Sequence, residues 1–191
     1  MPKTQAQRFF FALVTVLVTV HGYVFYSLYV VNGGALMAAS GAPGVLEAIR
    51  RMGGISMLGA MIPIWGVVLV EFCLALLLEV TVGSPWSFRL ACRVFAPGSV
   101  HPVLFETAII CATVGIMCPA MSFLAAILYY PYYAGFSVAA LLASWGKLVC
   151  LNLPFAYFSQ LFFIQPLVRT VFRLVFLREK KRIPSAGVEC I

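Results

Sequence analysis

Two glutamates, Glu71 and Glu79, interrupt the apolar run WGVVLVEFCLALLLEV (Trp65–Val80). A carboxylate at the centre of a bilayer costs about 2.5–3.5 kcal/mol on insertion scales unless it faces protein or water. A side chain placed at that cost is by default functional, and a carboxyl can hold either a proton or a cation. Glu71 falls near the middle of a span that reads as Ser56 to Val82. It is the leading candidate for substrate or proton binding; the alternative is a structural acid hydrogen-bonded to a neighbouring helix. Glu79 lies two turns further on the same face, near the expected cytoplasmic end. It is either a relay from Glu71 or a side chain that snorkels to the headgroups. His21, in VTVHGYVFYS, would make a proton pair beside a buried carboxyl, but an imidazole bonded to a backbone carbonyl explains it equally. Asn152 and Gln160 would supply supporting polar groups.

Other chemistry is excluded by what is missing. All six acidic residues are Glu, so no paired Asp can hold magnesium for phosphoryl transfer. The two histidines, His21 and His101, lie far apart, and the six cysteines contain no C-x-x-C pair. No metal site, disulfide framework or cofactor is expected. Nucleophile-elbow, Walker and zinc-protease motifs are all lacking, so an enzyme is not expected.

Composition sets the solvent. The 191 residues are 63% apolar and 10% charged, with a mean hydropathy of +1.02. A water-soluble domain could not cover that much apolar surface, whereas a bilayer can. The net charge of +7 comes from residues flanking the apolar runs, the pattern expected for anionic lipid headgroups rather than nucleic acid. Spans of about 20 apolar residues read at Arg8–Val31, Ser56–Val82, Val103–Tyr130 and Phe136–Ile164. The first run is too long for a signal-peptide core and lacks an A-x-A site, so it reads as a membrane anchor. The expected fold is an all-α membrane protein, a four-transmembrane-helix bundle.

Between the spans lie a Gly/Ala-rich stretch holding the amphipathic piece GVLEAIRRM, a Pro-bounded basic stretch (Gly83–Pro102), and the tight aromatic hairpin YYPYY (Tyr129–Tyr133). Lys3, Arg8, Arg89, Arg93, Arg169, Arg173 and the basic tail gather on one side of the membrane, against Arg50 and Arg51 on the other. That bias puts both termini in the cytoplasm, with Lys147 snorkelling toward the outer face.

The second and fourth spans end alike, in SPWSFRLACRVF and QPLVRTVFRLVF. Each has a Pro followed by two arginines four residues apart: Arg89 and Arg93, then Arg169 and Arg173. These segments read as interfacial amphipathic helices whose arginines touch lipid headgroups. Pro63 and Pro154 are each expected near the start of a span. The chain then divides into two tandem helix-pair repeats, 1–100 and 101–178, and a polar basic tail, 179–191. Shared membrane grammar is the alternative. Pro119, in MCPAMS, should kink the third helix, and Glu106 should favour that helix's N-terminus. Seams of small and polar residues, such as Thr15–Thr19–Gly22–Tyr26 and Cys111–Gly115–Cys118–Ser122, mark helix packing and would permit a homodimer.

MPKTQAQRFFFALV, MCPAMS (Met117–Ser122), NLPFA and PLVRTVFRLVF (Pro166–Phe176) resemble a bacterial membrane family of unknown function, the DUF class two-seven-nine-eight. The resemblance covers most of the chain and is strongest over Thr107–Phe176. It implies paired transmembrane helices in an inner membrane and no established biochemistry. In layout the chain is also similar to small exporters made from two tandem helix pairs. The expected function is therefore a small-molecule or ion transporter, proton-coupled through Glu71. The runner-up is a non-transporting scaffold or accessory subunit. A polar, water-reachable cleft at Glu71 would favour the first; a dry, packed carboxyl would favour the second.

Overall fold

A computed structural model describes residues 5–95 and 101–180. Lys3, the Ala96–Val100 part of the basic loop and the tail from residue 181 lie outside them. Among the described residues eight α-helices follow one another: α1 (Gln5–Tyr26), α2 (Gly33–Ser40), α3 (Val45–Met52), α4 (Ile64–Leu78), α5 (Ser84–Val94), α6 (Pro102–Leu128), α7 (Val138–Ser159) and α8 (Gln165–Lys180). Four stretches are long and apolar enough to cross a membrane: Gln5–Val31, Ile64–Val94, Val103–Leu128 and Val138–Phe176. Large apolar side chains such as Trp65, Leu69, Leu77, Phe162 and Phe163 point outward and exposed. In water that surface would aggregate; a multi-pass membrane protein presents it to lipid.

The second span does not begin at Ser56. Residues Ile55–Met57 and Ala60–Ile62 form an antiparallel two-stranded hairpin, a departure from an all-α chain. Its two-residue turn holds Leu58 at φ 52° and Gly59 at φ 81°, the left-handed conformation that a tight hairpin turn needs. Gly53 ends α3 at φ 77°, the usual left-handed helix stop. The hairpin is tied to the end of α6 by the Leu58 N–H, which donates to the Leu128 carbonyl at 2.7 Å. With Pro63 as its N-cap, α4 starts only at Ile64.

The expected amphipathic piece is α3, with Glu47 and Arg51 paired at 3.1 Å across one turn. Its apolar face, Val45 and Ile49, packs on Val20, Val24 and Leu28 of the first span, with Ala75 of α4. Because lipid tails are as apolar as Val or Leu, such contacts stabilise by packing rather than by escape from water.

The basic segments are not separate interfacial helices. Both are continuations of spans, each joined through one wide π-helical turn, Glu79–Gly83 and Gln160–Ile164. In each turn the N–H of the following residue, Ser84 or Gln165, donates five residues back, to the carbonyl of Glu79 or Gln160. The next residue is Pro85 or Pro166. Proline has no N–H, and its ring collides with the carbonyl four residues earlier. Widening one turn makes room for the ring without breaking the helix. Pro154, by contrast, lies well inside α7 rather than near the start of its span, and Pro119 lies inside α6.

Past the wide turns the helices change partners. α1 packs on α4, and α6 on α7, yet α5 packs on α6 and α8 on α1. Edge-to-face ring pairs mark both crossings: Phe88–Phe105, and Phe10–Phe176 with Phe11–Phe172.

Candidate transmembrane cleft

Between the spans runs a cleft of about 1340 Å³ with walls from α1, α4, α5, α6, α7 and α8. On α7 and into the wide turn after it, the lining is a stripe at every fourth residue: Ala140, Ser144, Leu148, Asn152, Ala156 and Gln160. Four-residue spacing keeps one helix face toward the cavity. The lining reaches Asn32 and Pro131 at the hairpin end, and Arg169 and Arg173 at the basic end.

Six of the sequence-predicted residues line these walls: Glu71, Glu79, Asn152, Gln160, Arg169 and Arg173. Glu71 accepts a hydrogen bond from the Tyr129 hydroxyl at 2.5 Å. Tyr129 is the first residue after α6, so Glu71 sits toward the hairpin end and not at mid-span. The late start of α4 is the reason. The same shift brings Glu79 to mid-height. Its Oε1 accepts from Ser84 Oγ at 2.7 Å. Its Oε2 lies against Gly83, where an added Cβ would stand 2.6 Å from that oxygen and 2.8 Å from Met117 Sδ. Met117 is near the middle of the 27-residue α6. Glu79 is thus remote from the basic end, and snorkelling does not account for it.

Gln160 occupies the corresponding height on the other wall. Its Nε2 donates to Thr19 Oγ1 at 2.9 Å, and Thr19 is near the middle of the 27-residue first span. Asn152 Nδ2 donates to Ser122 Oγ at 3.3 Å, while its backbone carbonyl accepts from the Tyr23 hydroxyl at 3.4 Å.

His21 is not brought to the carboxyls. It lies outside the cleft lining, and its Nδ1 is 2.8 Å from the Leu17 carbonyl of its own helix.

The arginines divide. Arg169 pairs with Glu106 at 2.7 Å and lines the cleft with Arg173. Glu106 therefore answers to a cation on α8; it is not in the first turn of α6. Arg89 and Arg93 are exposed and lie outside the lining.

Sequence reasoning missed Tyr129, Gly83 and the Glu106–Arg169 pair as parts of this region. One signal for the centre was available: Glu79 precedes Pro85 by the same six residues as Gln160 precedes Pro166. Among the described residues, no group of His, Cys, Asp and Glu could hold a metal ion. Compared with protein-family models, curated proteins and solved structures, the chain matches none.

Proposed function

We propose that this protein is a small membrane transporter in which a substrate or ion moves along the cleft and binds at its carboxyls. The observation that carries the reading is the placement of Glu71 and Glu79 on the wall of a large cleft. A carboxyl that accepts a proton or a cation, but not both, can exchange one for the other, which is the elementary step of proton-coupled transport. The matched wide turns support a build from two tandem helix pairs, and the motifs quoted above support a place in the same uncharacterised family. The bias of Lys and Arg supports cytoplasmic termini.

The test is proton-coupled flux in liposomes with Glu71→Gln, which keeps an acceptor for Tyr129. The account expects flux to fall at least tenfold in a variant that inserts and folds normally. Unchanged flux and unchanged pH response would reject the coupling role.

The Tyr129 bond favours a second reading, in which Glu71 is glue between α4 and the end of α6. In that reading Tyr129→Phe loses about 1–2 kcal/mol of stability, as for a buried hydrogen bond to an acid. Glu71→Gln then loses little function.

A further inference from the structure

The donors and acceptors of the cleft are out of balance. Thr15, Thr19 and Thr113 each donate their hydroxyl to their own helix, to the carbonyls of Phe11, Thr15 and Ile109. The amides of Gln160 and Asn152 donate to Thr19 and Ser122. The acceptors are less committed. Glu71 Oε2, Glu79 Oε2, Gln160 Oε1 and Asn152 Oδ1 receive no hydrogen bond among the described residues. None of the described side chains has a buried, unpartnered nitrogen or oxygen, so these four oxygens stay accessible on the cleft walls.

Charge points the same way. Five Glu and Arg side chains line the cleft. Glu106 and Arg169 neutralise each other at the basic end, and Arg173 stands beside them on α8. Glu71 and Glu79 have hydroxyl partners only; no Lys, Arg or His among the described residues forms an ion pair with either. Around them the walls are apolar: Val16, Val20, Leu74, Val114, Met117 and Met121. An anion would meet two acids in a medium that amplifies repulsion. A sugar would find donors on Ser144, Gln165 and Arg173, but it would leave the two carboxyls without a cation. A compact metal cation would have to shed its water for widely spaced oxygens. A ligand that carries positive charge and N–H donors on an apolar body satisfies every wall at once.

We propose that the cleft takes an amphipathic organic ammonium ion, with Glu79 at mid-height as its main binding carboxylate and Glu71, Gln160 and Asn152 as further acceptors. This deepens the transport reading by naming the substrate class, but it is a statement about binding and can be tested without flux.

Three probes share one fluorescent body and differ in charge: dansylcadaverine (ammonium), dansylamide (neutral) and dansylglycine (carboxylate). Each is titrated into the full chain in phosphatidylcholine nanodiscs near neutral pH, with empty nanodiscs subtracted. The ammonium probe should bind at least tenfold more tightly than the other two. Glu79→Gln should remove most of that preference, Glu79→Asp should restore part of it, and Glu47→Gln, on α3 outside the cleft, should leave it unchanged. Equal binding of the three probes, tightest binding of the carboxylate, or no binding above empty nanodiscs would each overturn the proposal. So would a folded Glu79→Gln that keeps the preference. If that variant does not fold, the wild-type probe series alone decides. Ammonium binding without flux would remove transport and leave the substrate class standing; flux without ammonium preference would do the reverse.

Discussion

Of the three wide turns among the described residues, the one at Ser27–Val31 has no proline after it; the two that precede a proline are alike in backbone and unlike in content, and the cleft follows from the difference. Each turn ends just before a proline, and each downstream helix buries the same positions relative to it. Two residues before, two after and six after the proline give Gly83, Ser87 and Ala91 in one half, and Ile164, Val168 and Phe172 in the other. All of these are buried except Phe172, which is half-buried. At mid-height the first half offers a carboxyl and the second an amide. The arginines are displaced by a single residue. Arg89 stands four residues after its proline and Arg169 only three. One residue is about 100° of helix. Arg89 is thereby turned about 200° from the buried position before it, out of the cleft; Arg169 is turned about 100°, onto the flank that reaches Glu106. A register change of one residue separates an exposed cation outside the lining from one that belongs to the cleft.

Two substitutions exchange features between the halves, and a third removes an ion pair from one of them. The largest effect is expected from Gly83→Ile, which gives the first turn the residue of the second. The added side chain would strike Met117 and the Glu79 carboxylate, and overpacking of this kind costs about 1–3 kcal/mol. Unfolding in a graded sodium dodecyl sulfate series reads it. Wild-type stability would show that the first turn has the spare room of the second.

Val168→Ser makes the reverse exchange, placing the counterpart of Ser87 in the second half. Val168 is 1% exposed, so the lost methyls leave a void worth about 1–2 kcal/mol. The new hydroxyl can bond to its own helix as Ser87 does to the Ser84 carbonyl, which keeps the loss at the low end. The same titration measures it. A loss above about 4 kcal/mol, the range of gross disruption, would mean that the two buried faces are not equivalent.

Glu106→Gln has the smallest effect. The Arg169 side chain is 43% exposed, and a pair so accessible contributes about 1 kcal/mol or less. If the one-residue displacement explains the division of the arginines, Arg89→Ala should cost no more, and through headgroup contact alone. A larger loss for Arg89→Ala would place a protein partner there.

The sequence made some of this architecture legible and concealed the rest for physical reasons. The four apolar runs, the amphipathic α3 and the tight Tyr129–Tyr133 connection were readable because each is a local pattern of apolar spacing or turn residues. The start of α4 was not. ISMLGAMI is as apolar as a helix, and only the glycines at 53, 54 and 59 betray the hairpin. That error of about eight residues moved Glu71 to the centre and Glu79 to the edge, the reverse of their heights in the fold. Pro85 and Pro166 were read as breaks, since proline normally ends a helix; a wide turn that absorbs it has no strong signature of its own. Glu71, Asn152 and Gln160 were found because polar side chains in apolar runs stand out. His21 stood out equally, yet it bonds to its own helix, and composition alone does not separate the two cases.

The central claim is that Asn152 and Gln160, with the carboxyls opposite, face a water-reachable passage while their neighbours face lipid. It is tested most directly by thiol accessibility. In a background with the native cysteines replaced, Asn152→Cys and Gln160→Cys should react with a charged, water-soluble methanethiosulfonate at least tenfold faster than Leu151→Cys and Phe162→Cys on the outer surface. Equal inertness at all four positions would show a dry bundle and contradict the account.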